Sequence, residues 1–220
     1  MLKESTAIKV ILGLTVSAAA AFALYRFVIR PWHLRWGATA EEATRSMPGD
    51  DLVPNPDIAF TRAVTINVPA AGVWPWLVQM GYRRAGWYSY DRIDNDGIHV
   101  HRIIPELQTL AVGDVMLTDA GGGFRVEALD PGRTLVLKLD RASVGQDLEM
   151  SCVLTLDPLD EGRTRLLLRL RGKFNGLVEK VWGRVLFDAG DFVMMRKMLL
   201  GIKERAEQQT HLANLSVSVS

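Results

Sequence analysis

Leu148-Glu-Met-Ser-Cys-Val-Leu-Thr-Leu156 and, after a turn at Asp160-Glu-Gly162, Arg163-Thr-Arg-Leu-Leu-Leu-Arg-Leu-Arg171 are the stretches that decide the fold. Side chains of an extended chain alternate between two faces. Leu148, Met150, Cys152, Leu154 and Leu156 therefore share one face of the first stretch, and Leu166, Leu168 and Leu170 share one face of the second. Glu149, Ser151 and Thr155 fall opposite the first set, and Arg165, Leu167 and Arg169 opposite the second. Such alternation predicts antiparallel strands joined by a hairpin, with one face buried.

The same pattern continues toward the N-terminus. Leu135, Leu137 and Leu139 alternate with Val136 and Lys138, before them Phe124, Val126 and Ala128 alternate with Arg125 and Glu127, and turns fall at Gly121–Gly123 and Asp130-Pro-Gly132. Val112–Leu117 reads as a short strand. In Ile58–Val68 the side chains Phe60, Val64, Ile66 and Val68 share a face. Pro69 suits the opening of a helix whose apolar face carries Val73, Leu77 and Met80, and Gly81 breaks it. A second helical stretch is expected within Trp87–Asn95. Beyond Gly176 the period becomes helical, with Val178, Val181, Val185, Ala189, Phe192 and Leu199 on one stripe through about Glu207. The predicted fold is α+β: a curved antiparallel sheet wrapped around a long C-terminal helix that covers its apolar face.

The flanks differ in character. From Ile8 to Ile29 the chain is apolar except for Lys9 and Arg26, and about twenty residues at 1.5 Å each match a bilayer core of roughly 30 Å. Residues 1–30 are expected to be a transmembrane anchor, ended by Arg30-Pro31, with Trp32 and Trp36 at an interfacial belt. A cleaved signal peptide is the alternative, with Ala19-Ala-Ala21 as its cleavage site; the apolar run continuing to Ile29 argues against it. Flanking charges lean weakly toward a cytoplasmic domain. Residues 31–57 read as a linker, residues 58–207 as the folded domain and residues 208–220 as a flexible tail. Within the linker, Thr39-Ala-Glu-Glu42 signals a short helix start.

Composition narrows the function classes. With 26 basic and 25 acidic residues the chain lacks the cationic excess of a nucleic-acid binder. The single cysteine, Cys152, excludes an intramolecular disulfide and a cysteine-based zinc cage.

Three segments carry a resemblance: Ile66-Asn-Val-Pro-Ala-Ala-Gly-Val-Trp-Pro-Trp-Leu-Val-Gln-Met-Gly81, Arg84-Ala-Gly-Trp-Tyr-Ser-Tyr-Asp91 and Phe192-Val-Met-Met-Arg-Lys-Met-Leu-Leu-Gly201. They resemble a bacterial branch of the START/polyketide-cyclase (SRPBCC) superfamily of helix-grip proteins. That resemblance implies an apolar cavity between sheet and helix and a hydrophobic small-molecule ligand. It does not choose among carriers, receptors, cyclases and co-regulators. Residues expected at the cavity are Trp76, Met80, Trp87, Tyr88, Tyr90, Phe124, Met150, Leu168 and Phe192. The cluster Trp87-Tyr-Ser-Tyr-Asp91 combines aromatic bodies with polar tips, as an amphipathic ligand requires, although the same residues also suit an ordinary core.

His99, His101 and Asp91 are the candidates for acid–base chemistry, since imidazole titrates near neutrality. In an extended segment the two histidines share a face, but zinc would want a third ligand, and a solvated polar strand is the ordinary reading. Asp94-Asn-Asp-Gly97 imitates a calcium loop, but Arg92 and Ile103 stand where acids are needed. No metal or cofactor is expected. Arg163, Arg165, Arg169 and Arg171 alternate along one strand and should form a solvated face, or meet anionic headgroups beside a bilayer. Met80, Met150, Met194, Met195 and Met198 suit either a core or an adaptable pocket. The leading expectation is a membrane-tethered binding domain for a lipid, isoprenoid or polyketide-like molecule. A cyclase or dehydrase enzyme and an interaction domain are the alternatives.

Overall fold

A computed structural model describes residues 2–119, 122–139, 148–174 and 190–218. The chain divides into two compact units, Met1–Leu34 and Arg35–Ser220.

The first unit is helical. Helix α1 (Leu2–Leu24) passes into a π-helical turn at Tyr25–Ile29 and then into α2 (Arg30–Leu34). Arg30-Pro31 does not end the helix, contrary to the sequence expectation. Proline has no N–H to give, and its ring crowds the carbonyl four residues earlier. A π-turn absorbs the conflict by shifting the ladder, and here the Arg30 N–H reaches back to the Tyr25 carbonyl. The segment Leu12–Leu34 is long and apolar enough to cross a membrane, and Leu12, Phe22 and Phe27 are exposed on it.

The second unit is the α+β fold the alternation predicts. Its strands are β1 (Ile58–Ile66), β2 (Val115–Leu117), β3 (Gly123–Asp130), β4 (Thr134–Leu139), β5 (Leu148–Asp160) and β6 (Arg163–Phe174). They form one antiparallel sheet in the order β1-β6-β5-β4-β3-β2. Helices α4 (Ala70–Val78) and α5 (Asp91–Asp94) follow β1, and α6 (Phe192–Ser218) packs on β1 and α4. The arrangement is of helix-grip type. Helix α6 runs past Glu207 to Ser218, where a frayed tail from residue 208 was expected. The predicted stripe residues Val178, Val181, Val185 and Ala189 lie outside the described residues.

Register sets the two faces. Leu154 opposes Leu168 and Leu135, Cys152 opposes Leu170 and Leu137, and all are buried. This is the face toward α6. Arg62 of β1 also lies on it, opposite Leu168, completely buried. It survives there because Asp191 pairs with it at 2.8 Å and the Phe60 ring stacks 3.8 Å below it.

The other face is partly covered by the chain itself, which corrects two expectations at once. Residues 35–57 are no free linker. Met47, with Ala38 and Leu52 beside it, packs on Ala63, Val136, Val153 and Leu167. Helix α3 (Ala40–Thr44) opens with a reciprocal capping box between Thr39 and Glu42, as the sequence predicts. The arginines of β6 hold this strap. Arg165 makes a two-pronged bond to the Glu42 carboxylate at 2.8 and 2.9 Å. Arg169 donates to Thr61, to the carbonyls of Glu42, Ala43 and Arg45, and to Asp50. Five bonds satisfy the five donors of a guanidinium, and three of them close the C-terminal end of α3. Arg163 alone of the four arginines keeps the exposure expected, paired only with its neighbour Asp160.

Both sheet edges are partly covered. The Ala63 N–H donates to the Trp36 carbonyl, and Lys203 donates to the Thr65 carbonyl. On the β2 edge, the Leu117 carbonyl accepts from the Tyr82 N–H and the Trp87 indole. Trp36 belongs to the folded unit, its ring edge-on to Phe192 and under Arg196.

Candidate functional site

Two of the resembled segments meet at one point. Gly201 of α6 brings the helix so close to the 87–91 loop that an added Cβ would lie 2.2 Å from the Tyr88 carbonyl oxygen. Tyr88 adopts left-handed backbone (φ 58°), a conformation that costs a non-glycine residue about 1–2 kcal/mol. Three contacts hold it there. Its hydroxyl donates to the Trp76 carbonyl at 3.0 Å, its ring meets Trp76 edge-on, and Arg205 lies 4.7 Å from its centroid. Burial pushes the Tyr88 phenol well above its ordinary pKa, so it stays a neutral donor.

The bend at Tyr88 turns the next residue inward. Ser89 donates to Asp94 twice, from its backbone N–H at 3.2 Å and its hydroxyl at 2.5 Å, both to Oδ2. Asp94 is 4% exposed. Its other oxygen, Oδ1, is buried and has no hydrogen-bond partner among the described residues.

These two residues border a pocket of about 150 Å³ between the sheet and the start of α6. Met194, Met195 and Met198 of α6 form one wall, Phe124 and Cys152 of the sheet the floor, and Trp87 and Thr118 the remaining side. The Trp87 indole is fixed by its bond to the Leu117 carbonyl and by an edge-on contact with Phe124. Cys152 is buried, and burial, aided by the nearby Asp191 charge, pushes its thiol up to about 12.

Of the residues expected at a cavity, Trp87 and Phe124 line this pocket. Trp76, Met80, Tyr88, Met150 and Leu168 are instead buried core side chains that do not border it. Tyr90 is largely exposed, and Phe192 packs against Trp36 and Arg62. The midpoint residues Met150, Leu168 and Phe192 miss the pocket, whose lining runs from Thr118 and Phe124, beside β2 and on β3, to Met194, Met195 and Met198. Met194, Met195 and Met198 are recognisable in the sequence as adaptable side chains, and Ser89 falls within the Trp87–Asp91 cluster, but Asp94 carries no local signal beyond a calcium-loop likeness that fails.

The acid–base candidates lie elsewhere. Asp91 pairs with His99 Nδ1, and the His99 and His101 rings meet edge-on at 4.4 Å, so the three do come together. They do so in an irregular loop rather than a strand. Both imidazoles are exposed, and none of the three borders the pocket. Arg205 ties this loop to α6 through the Val100 carbonyl. A larger hollow of about 350 Å³, lined by Arg45, Arg133, Asp130 and Asp157 with Met47 and Leu156 beside them, is open and of mixed charge.

No protein-family model and no curated protein matches the chain. Among solved structures, it is similar to a protein from Thermobifida fusca, with 16% identity over 68% of this chain and 93% of that one, at a TM-score of 0.47. It is also similar to the Zhui aromatase/cyclase from Streptomyces sp. R1128, with 17% identity over 70% of this chain and 95% of that one, at 0.44. A third is the di-domain aromatase/cyclase BexL from the BE-7585A biosynthetic pathway, with 14% identity over 68% of this chain and 46% of that one, at 0.41. At these values the likeness assigns no activity, substrate or partner to this chain.

Proposed function

We propose that this protein is a membrane-tethered binding protein for a small amphipathic molecule. One observation carries the reading: an apolar pocket, walled by three methionines and two aromatic rings, has a buried carboxylate set into its side. Flexible thioethers adapt to varied apolar shapes. A few placed polar groups in an apolar lining are the usual make-up of a ligand site. A volume near 150 Å³ is on the order of a benzene-sized cavity, so one ring or a short branched chain fits rather than a whole lipid. The apolar helix supports the tether, because an anchored domain meets membrane-dissolved molecules at a raised local concentration. A catalytic role has less support, because Asp91, His99 and His101 lie away from the pocket lining.

The test is native mass spectrometry of the full chain, purified from membranes and reconstituted, beside Met195→Trp. Wild-type protein should carry or take up a small apolar molecule, and the tryptophan variant, its pocket filled, should not. Equal uptake by both, or none by wild type across a panel of apolar probes, would overturn the reading.

A further inference from the structure

The pocket's polar side narrows the ligand further, granted that the pocket is the ligand site. Asp94 is a carboxylate at the edge of an apolar space, 4% exposed, with Oδ1 unpartnered among the described residues. Ser89 satisfies only Oδ2. Among the described residues no lysine or arginine pairs with Asp94. By contrast, the buried cations Arg62 and Arg169 are each paired, with Asp191 and Asp50. A buried anion with spare acceptor capacity is costly unless a donor or cation completes it.

Around Asp94 the lining also suits a cation. The Trp87 ring borders the same pocket, and an indole is the aromatic group that attracts cations most strongly. The three methionine sulfurs add polarisable, weakly accepting atoms and no positive charge. Among the described lining residues the donors are the Ser89 and Thr118 hydroxyls, the Trp87 indole N–H and the weak Cys152 thiol, and the first three already donate to Asp94, Gly122 and Leu117. An anionic headgroup would therefore face a carboxylate with no cation to offset it among the described residues.

We infer that the pocket selects amphiphiles carrying a protonated amine, with the ammonium hydrogen-bonded to Asp94 beside the Trp87 ring and the apolar part among Met194, Met195 and Met198. A charge-assisted bond to a carboxylate in a dry site is about twice as strong as a neutral one, so the amine supplies both affinity and orientation.

The experiment uses the full chain in nanodiscs, with empty nanodiscs as the partition reference. Binding of phenethylamine and of propylbenzene, which replaces the ammonium by a methyl group, is measured by calorimetry for wild type and Asp94→Asn. In wild type the amine should bind at least about tenfold more tightly than the hydrocarbon, the scale of one charged hydrogen bond. Asp94→Asn should remove that preference and leave hydrocarbon binding within about twofold. Equal affinity of the two probes in wild type overturns the amine assignment while leaving the pocket as a ligand site. A preference that persists in Asp94→Asn overturns it too, by placing the amine elsewhere. Failure of both probes to bind wild type removes the ligand site and the amine assignment together. Should Asp94→Asn fail to fold, the wild-type comparison decides alone.

Discussion

The Arg169 guanidinium lies 2.8 Å from the Asp50 carboxylate, joining strand β6 to the strap across the sheet's second face. Arg169 is 5% exposed and makes four further hydrogen bonds, so removing it strands several acceptors at once. Arg169→Ala should destabilise the domain by about 3–5 kcal/mol, the range for breaking a buried pair. Arg163→Ala, on the same strand face but exposed, should leave the denaturant midpoint unchanged. Chemical denaturation of the two variants checks both.

Acid should loosen the same strap. The Arg165 hydrogen bond holds the Glu42 carboxyl below its ordinary value of 4.5, helped by the Thr39 backbone N–H and opposed by partial burial. A carboxylate depressed in the folded state contributes stability above its unfolded pKa, and that stability is lost as pH falls through the folded value. Stability should therefore decline below about pH 4.5, and Glu42→Gln should flatten that decline. Thermal melts of both proteins across pH 3–6, roughly the range of carboxylate titration, give the comparison.

Leu168 is fully buried between Arg62 of β1 and Leu154 of β5, away from the pocket. Leu168→Trp should overpack the core and cost about 1–3 kcal/mol. Sequence alone places Leu168 at a ligand space, where the same change would be harmless. Met195→Trp, which does enter the pocket, should keep the melting temperature within a few degrees (about 1 kcal/mol) and abolish ligand uptake.

Alanine is normally better than glycine inside a helix by about 1 kcal/mol. Gly201→Ala should reverse that sign, because the new Cβ would lie 2.2 Å from a backbone oxygen that flexes little. A loss of about 1–3 kcal/mol is expected. Thermal melts of Gly201→Ala check the sign: a higher melting temperature would mean that α6 does not approach Tyr88 this closely.

Cys152 should resist alkylation in the folded protein. Its side chain is buried and its thiol is pushed up to about 12, so thiolate is scarce at pH 8, on the order of one part in ten thousand. Labelling by iodoacetamide should track global unfolding in a denaturant series, and rapid labelling without denaturant would show that the pocket floor opens.

The strands were legible because period-two alternation is a direct image of a half-buried sheet, and β5 and β6 show it over their whole length. Arg165 and Arg169 misled for the same reason. Alternation places them on the second face, but it does not say whether water or another part of the chain lies there. The covering segment, residues 37–53, is broken by Pro48 and Gly49 and short of periodic apolar residues, so nothing local marks it as packed. Arg62 was hidden inside an apolar face because its partners, Asp191 and Phe60, are distant in sequence. Ser89 and Asp94 come together at the pocket only through the bend at Tyr88, which a sequence does not announce. The N-terminal helix was plain from composition, whereas its passage through Pro31 depends on a π-turn that leaves no trace in residue pattern.

The covered sheet margins bear on how many copies of this domain can share a confined space. An exposed strand edge offers a row of unpaired N–H and C=O groups on which another chain can template itself, and close crowding multiplies such encounters. Here the Trp36 carbonyl and the Lys203 ammonium occupy positions along β1, while Tyr82 and Trp87 occupy the Leu117 carbonyl on the short β2. At those positions the groups another chain could pair with are already bonded within the molecule, which leaves fewer places on these margins where a shared ribbon could start.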